Sequence, residues 1–273
     1  MRLGQYDEAE GLLRSSVNIV ERAFGPRDAR LIGPLSSLGI LREERGDYRE
    51  AEALQRRALA IGRARLGNEN TDVMSMLGNL AELLQDEGKF TEAEKLMRQE
   101  LEFDRKRVGN DQPDVAFDLN NLGRLMLVTG NFRASEPLLR AAVDILRRKN
   151  NPYLFAVMGN LGELTTKEGN PAGAEPMLAE ALAYGLRTVG EQSSDVARVR
   201  IKYAACLVRL NKYPAAEEQL LAAWPVVEGS LGSQNPITRQ AIRMLIDLYR
   251  AWGKQDRARA WESRRKRSAA AVW

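Results

Sequence analysis

The sequence predicts an all-α fold built from repeated helix pairs, and three observations predict it. A short signature returns at fixed spacing through the 273 residues, the apolar residues around each copy follow helical periodicity, and alternation of strand type is found nowhere. The signature is glycine, any residue, an aromatic, two further residues, a small residue and glutamate. It begins at Gly4, Gly46, Gly88 and Gly130, 42 residues apart each time. It continues in weaker form at Gly169, Asn211 and Gly253, at steps of 39, 42 and 42 residues, so one repeat has lost three residues.

Within a period, the residues ahead of the glycine form one helix, termed helix A, and those behind it form helix B. In the copy around Gly88, helix A carries Val73, Leu77, Leu80, Leu83 and Leu84 at helical spacing, and the glycine ends it in a left-handed turn. Helix B opens at Phe90 and carries Ala93, Leu96, Met97, Leu101 and Phe103 until Gly109. The eighth residue ahead of each glycine is Leu38, Leu80, Leu122, Leu161, Tyr203 and Leu245. The next column holds Gly39, Ala81, Gly123, Gly162, Ala204 and Ile246, small in five cases of six, which lets two helix axes approach closely.

The repeat spacing predicts a single domain over residues 1–273. It comprises a half repeat of helix B only over 1–25, repeats over 28–67 and 70–109, a short repeat over 112–149, repeats over 152–190 and 193–232, and a last repeat over 235–273 with a basic capping helix. The shortened connector at Asn150, Asn151 and Pro152 is the expected place of a bend. Pro225, inside the sixth helix B, is expected to kink or shorten it.

These features resemble the tetratricopeptide repeat family, in the 42-residue variety known from kinesin light chains and from bacterial multidomain proteins. The likeness is carried by the small residue of helix A, the glycine-x-aromatic turn, the Ala-Glu of helix B, and connectors such as Leu66-Gly67-Asn68-Glu69 and Gln112-Pro113-Asp114-Val115-Ala116. It covers essentially the whole chain. The family's connector often holds a histidine before proline, and this chain departs there with Asn70 and Gln112. The resemblance implies a right-handed α-solenoid of antiparallel helix pairs, about thirteen helices, in which neighbouring repeats cover each other's apolar faces. At its end, Arg265 and Lys266 replace the Ala58 and Leu59 or Ala142 and Val143 of earlier repeats, as a solvated cap requires. At its start, Leu12, Leu13, Val17 and Ile19 lie on a helix B without its own helix A, so either the natural chain extends upstream or a partner covers this edge. The closing Leu248-Tyr249-Arg250-Ala251-Trp252-Gly253-Lys254 is similar to the end of repeat arrays attached to bacterial serine/threonine kinases.

Composition narrows the function. Histidine is absent, which removes imidazole as general base, triad member or metal ligand. The sequence contains no phosphate loop, nucleophile elbow, kinase His-Arg-Asp or Cys-x-x-Cys. Cys206 stands in the column of Leu41, Leu83, Leu125, Leu164 and Leu248 and reads as a core residue. The expectation is a non-enzymatic protein with no cofactor and no metal. The net charge is +4, yet residues 257–273 hold six of the 41 basic residues and one of the 37 acidic ones, leaving 35 against 36 elsewhere. Such a balanced body has no field to draw nucleic acid, and the run Arg264-Arg265-Lys266-Arg267 reads as a basic last turn. No apolar run reaches membrane-spanning length, and the lone cysteine with a start unlike a secretory signal predicts the cytoplasm.

The resemblance places ligands on a concave surface lined by the A helices. Nine residues ahead of each glycine stand Ser37, Asn79, Asn121, Asn160, Lys202 and Met244. Three successive asparagines suit the backbone of an extended peptide, because an amide both donates and accepts; the alternative is that they hydrogen-bond between neighbouring helices. Early helices contribute Glu43, Glu44, Glu82 and Asp86 to these columns, later ones Arg124, Arg198 and Lys202. In the family's carboxylate-clamp members, basic and asparagine residues of three successive A helices grip an acidic peptide or its terminal carboxylate. The corresponding columns here hold Asn120 and Arg124, then Asn160, then Arg198 and Lys202, with the first pair in reversed order and Glu163 offering the cations a competing partner. The expected function is an adaptor or scaffold that binds an extended, acidic peptide or protein segment at Asn79, Asn120, Asn121, Arg124, Asn160, Arg198 and Lys202. The alternative is the regulatory, oligomerising region of a longer bacterial signalling protein such as a serine/threonine kinase, self-associating through the N-terminal edge.

Overall fold

A computed structural model describes the backbone of residues 2–233 and 235–270, and the side chains of 8–43, 45–233 and 235–266. Among the described residues there are thirteen α-helices and no strand. They are α1 (Arg2–Phe24), α2 (Ile32–Glu44), α3 (Tyr48–Leu66), α4 (Thr71–Asp86), α5 (Phe90–Val108), α6 (Pro113–Val128) and α7 (Phe132–Arg148), followed by α8 (Leu154–Lys167), α9 (Pro171–Thr188), α10 (Ser194–Arg209), α11 (Tyr213–Leu231), α12 (Pro236–Ala251) and α13 (Gln255–Ala270). Even-numbered helices are A helices and odd-numbered ones are B helices. The chain forms two compact units, Met1–Asn110 with α1 to α5 and Asp111–Trp273 with α6 to α13. Within each unit every helix packs on the next, and in the second the A helices α6, α8 and α10 also pack in succession.

Among the described residues, each of the twelve junctions between consecutive helices contains one residue in the left-handed region. Ten are glycines, and the other two are Asn150 at φ 49° and Asn211 at φ 59°. After an A helix this residue lets the chain double back so that the next N–H reaches a carbonyl five residues earlier. Asp47 N donates to Arg42 O, Lys89 N to Leu84 O and Asn131 N to Met126 O, each at 2.8 Å. Asparagine is the residue that most readily replaces glycine in this conformation. The first signature differs, for Gly4 lies inside α1. A turn there would have to be held against a helix packed ahead of it, and among the described residues there is none.

The small column does what its composition predicts. A Cβ on Gly123 would stand 2.8 Å from Leu139 Cδ2, and one on Gly162 would stand 2.6 Å from Leu178 Cγ. The small residue of the fourth signature is Ser135, whose buried hydroxyl donates to Gly123 O at 2.7 Å and ties α7 to α6. Leu38, Leu80, Leu122, Leu161 and Leu245 are buried, whereas Tyr203 is half-buried. Cys206 is fully buried in its leucine column, and burial pushes its thiol pKa up.

The short repeat loses length at both sides of its connector, since α7 has 17 residues and α8 has 14, against 19 in α5 and 16 in α6. Pro225 does not shorten its helix. Helix α11 runs unbroken through it to Leu231, because Ala223, Trp224, Val226 and Val227 around the proline are all buried and their packing outweighs one forgone backbone bond.

The last helix is pinned by aromatic and cationic contacts. Trp261 meets Trp224 edge-on at 5.2 Å between ring centres, and the Arg264 guanidinium lies over Trp224 while donating to Glu228 at 2.9 Å. Arg265 and Lys266 face solvent as a cap requires; the Arg267 side chain lies outside the described residues. At the other end, Leu13 and Val17 are half-buried, but Leu12 and Ile19 are both 66% exposed on α1. Of their column mates, Leu96, Ile61 and Ile145 are buried, and Leu54, Leu138 and Phe103 are half-buried.

Candidate functional site

Three A helices of the second unit bring one polar residue each into a row. Asn120 on α6, Asn160 on α8 and Lys202 on α10 are joined side chain to side chain. Lys202 Nζ donates to Asn160 Oδ1, Asn160 Nδ2 donates to Asn120 Oδ1 at 2.6 Å, and Asn120 Nδ2 donates to Asn121 Oδ1 at 3.4 Å. The direction of the row follows from its end. An ammonium group only donates, so Asn160 must turn its oxygen to α10 and its NH2 to α6. Asn160 is 5% exposed, and both ends of its amide are engaged.

Glu163 lies one helical turn beyond Asn160. Its Oε2 is 3.4 Å from Lys202 Nζ and its Oε1 is 3.0 Å from Lys167 Nζ. The side chains of Lys202 and Glu163 are 20% and 24% exposed, so this pair is largely removed from water. Burial draws the Lys202 ammonium below the ordinary lysine pKa; Glu163 opposes that shift, and the positive charges of Arg124 and Arg198 add to it. Burial pushes the Glu163 carboxyl up, but Lys202 and Lys167 outweigh it and hold the pKa below the usual carboxylate value. The cluster is therefore rich in positive charge and organised around a buried lysine.

The other expected residues are distributed as follows. Arg124 on α6 and Arg198 on α10 are half-buried, and Arg198 Nε is 3.9 Å from Asp195 Oδ1 on its own helix. Asn121 is half-buried and accepts from Asn120. Asn79 is exposed on α4 of the first unit and has no place in the row of the second. Of the early carboxylates, Glu82 and Asp86 are exposed on α4 and Glu43 is half-buried on α2; the Glu44 side chain lies outside the described residues.

Comparison of columns brings out one further residue. Glu100 on α5 occupies a position that is alanine in α3, α7, α9 and α11, where Ala58, Ala142, Ala181 and Ala223 are fully buried. Burial, with Asp104 and Glu82 nearby, raises the Glu100 carboxyl to about 7. Among the described residues no group of three or more cysteines, aspartates or glutamates is arranged to hold a metal ion. No described helix is long and apolar enough to cross a membrane.

A family model described as Tetratricopeptide repeat matches residues 1–64 and 72–148, and a second of the same description matches 155–195. No curated protein matches the chain in sequence. Among solved structures, BtubC (BKLC) of P. vanneervenii is 21% identical with a TM-score of 0.63, over 85% of this chain and 94% of its own. A Podosopora anserina protein of kinesin-light-chain type, with nearly identical TPR-like repeats, is 20% identical with a TM-score of 0.57, over 74% of this chain and 97% of its own. A Rap protein solved in complex with competence and sporulation factor is 14% identical with a TM-score of 0.66, over 100% of this chain and 73% of its own. At these identities the likeness concerns the fold of stacked helix pairs.

Proposed function

The chain belongs to the tetratricopeptide repeat family, a family of protein-interaction scaffolds, and on that premise we propose that it is a non-catalytic adaptor that holds an extended acidic segment of a partner protein along the A helices of its second unit. The observation that carries this reading is the row Asn120, Asn160 and Lys202, with Arg124 and Arg198 beside it. Three ligand-facing roles follow, carried by five residues. Lys202 and Arg198 take carboxylates, Arg124 extends the positive strip to α6, and Asn121 with the outer edge of Asn120 addresses the backbone of the segment. Each charge-assisted bond contributes about 1.5 to 3 kcal/mol, and a short peptide loses much conformational freedom on binding, so affinity falls on the order of micromolar. The solved Rap complex, whose partner is competence and sporulation factor, is a precedent of similar fold for such an occupant.

Fluorescence anisotropy of a labelled acidic peptide with a free C-terminus tests this directly. The double variant Arg198→Glu and Lys202→Glu is expected to lose at least tenfold in affinity, in line with two charge-assisted bonds. An unchanged titration eliminates the reading.

A second reading, assembly of a longer signalling protein through its N-terminal helix, is favoured by the exposure of Leu12 and Ile19 on α1. Light scattering over a concentration series separates the two. A dimer that disappears in Leu12→Ser with Ile19→Ser supports assembly, and a monomer throughout supports the adaptor alone.

A further inference from the structure

We propose that Glu163 is a built-in competitor for the partner's carboxylate, so that the site admits only segments acidic enough to displace it from Lys202; this rests on the adaptor reading of the same site. The fold does not ask for an acid at this position. Its column holds Ile40, Glu82, Arg124, Ala205 and Asp247 in the other A helices, and in α10 an alanine serves. What asks for the acid is Lys202. A lysine four-fifths covered by its surroundings is costly without a counter-charge, and Glu163 at 3.4 Å supplies one when no ligand is bound.

The same carboxylate also has somewhere to go. Its other oxygen lies 3.0 Å from Lys167 Nζ, and the Lys167 side chain is 45% exposed, on the outer side of the cluster. Rotation of Glu163 toward Lys167 would release Lys202 while keeping Glu163 paired. The incoming carboxylate then takes the vacated position, with the Asn160 amide still accepting from the ammonium. One carboxylate replaces another around Lys202, and the positive charges of Arg124 and Arg198 offset the added negative charge. A neutral segment, or one with an amidated end, brings nothing that can replace Glu163. The residue therefore acts as a specificity determinant, raising the charge a ligand must carry.

Calorimetric titration of the full chain with an acidic octapeptide bearing a free C-terminus, and with its amidated, uncharged counterpart, tests the proposal. Glu163→Gln is expected to bind the acidic peptide about tenfold more tightly than the wild type, the gain expected if Glu163 occupies Lys202 nine-tenths of the time. The uncharged counterpart gains nothing. Glu163→Ala, a side chain already tolerated in this column as Ala205, is expected to repeat the gain should Gln fold poorly. Thermal melts of both variants are expected to fall without ligand and to recover with it, because Lys202 loses its resident counter-charge. Wild-type binding that is equal to or tighter than that of both variants overturns the competitor role and leaves the adaptor reading standing. Lys202→Met with undiminished affinity overturns the adaptor reading, and an acidic peptide that binds neither wild type nor variant overturns both.

Discussion

Glu100 Oε1 lies 2.6 Å from the point where a Cβ on Gly78 would stand. Helix α5 thus delivers a carboxylate into a notch that α4 leaves open by carrying no side chain there. The exchange is local to this repeat, since the four other buried members of the Glu100 column are alanines. The notch keeps water from the carboxyl, and Glu82 and Asp104 add like charge, so the folded protein prefers the protonated acid.

Stability should therefore depend on pH through Glu100. Its carboxyl stands at about 7 in the folded chain against 4.5 for the ordinary group. Below the lower value both states are protonated and the residue costs nothing. Between the two the folded state must bind a proton the unfolded state has released, and above about 7 the full cost of the buried charge is present. Glu100→Gln is expected to be more stable than wild type by about 3 kcal/mol at pH 8, and this advantage should fade as pH falls toward 4.5. Urea denaturation at pH 5 and pH 8 checks it; an advantage of equal size at both pH values would show that the charge of Glu100 is not the cause.

Glycines in this chain should divide into three classes under alanine substitution. At Gly123 and Gly162 the added methyl meets Leu139 and Leu178 within 2.8 Å, so Ala is expected to cost about 1 to 3 kcal/mol through overpacking. At Gly130, with φ 77° and open space around it, the cost is conformational and about 1 to 2 kcal/mol. Gly11, inside α1 with nothing near it and an ordinary φ, should gain about 0.5 to 1 kcal/mol as alanine. Chemical denaturation of the four variants gives the order, and destabilisation by Gly11→Ala comparable to that of Gly162→Ala would contradict it.

The cap should loosen from its aromatic contact. Removing the Trp261 ring takes away the edge-on partner of Trp224 and one of the two faces over which Arg264 lies. Trp261→Ala is expected to cost about 2 kcal/mol and to speed amide exchange in α13 first, whereas Arg264→Ala, which leaves the two rings in contact, costs less than about 1 kcal/mol. Hydrogen exchange with mass spectrometry reads both. Equal exchange of α13 in Trp261→Ala and wild type would exclude the ring as the anchor.

The helix order was legible because a repeat multiplies every weak signal. A single Gly-x-aromatic turn means little, but copies at steps of 42 residues place each helix end independently of any one residue, and even Asn211 was recognisable as the stand-in for a glycine. The second set of junctions, from helix B to the next helix A, was less plain, for Asn150 takes the left-handed position within a connector that has lost residues. At the site, the sequence anticipated the pairing of Glu163 with a cation. It could not give the orientation of Asn160, which depends on Lys202 donating from the next repeat, nor the double tie of Glu163 to Lys167. The expected shortening at Pro225 did not occur because a local rule about helix interiors ignored the buried side chains on both sides of it. Glu100 was visible in its alanine column, but its meaning required the empty notch at Gly78.

The most direct measurement is nuclear magnetic resonance of the asparagine side-chain amides while an acidic peptide with a free C-terminus is added. If the row on α6, α8 and α10 is where a partner is held, the NH2 resonances of Asn120, Asn121 and Asn160 should move together along one saturable curve, and Lys202→Met should abolish the movement. Saturable binding that leaves these three amides unmoved, while resonances elsewhere in the chain shift, would contradict the account.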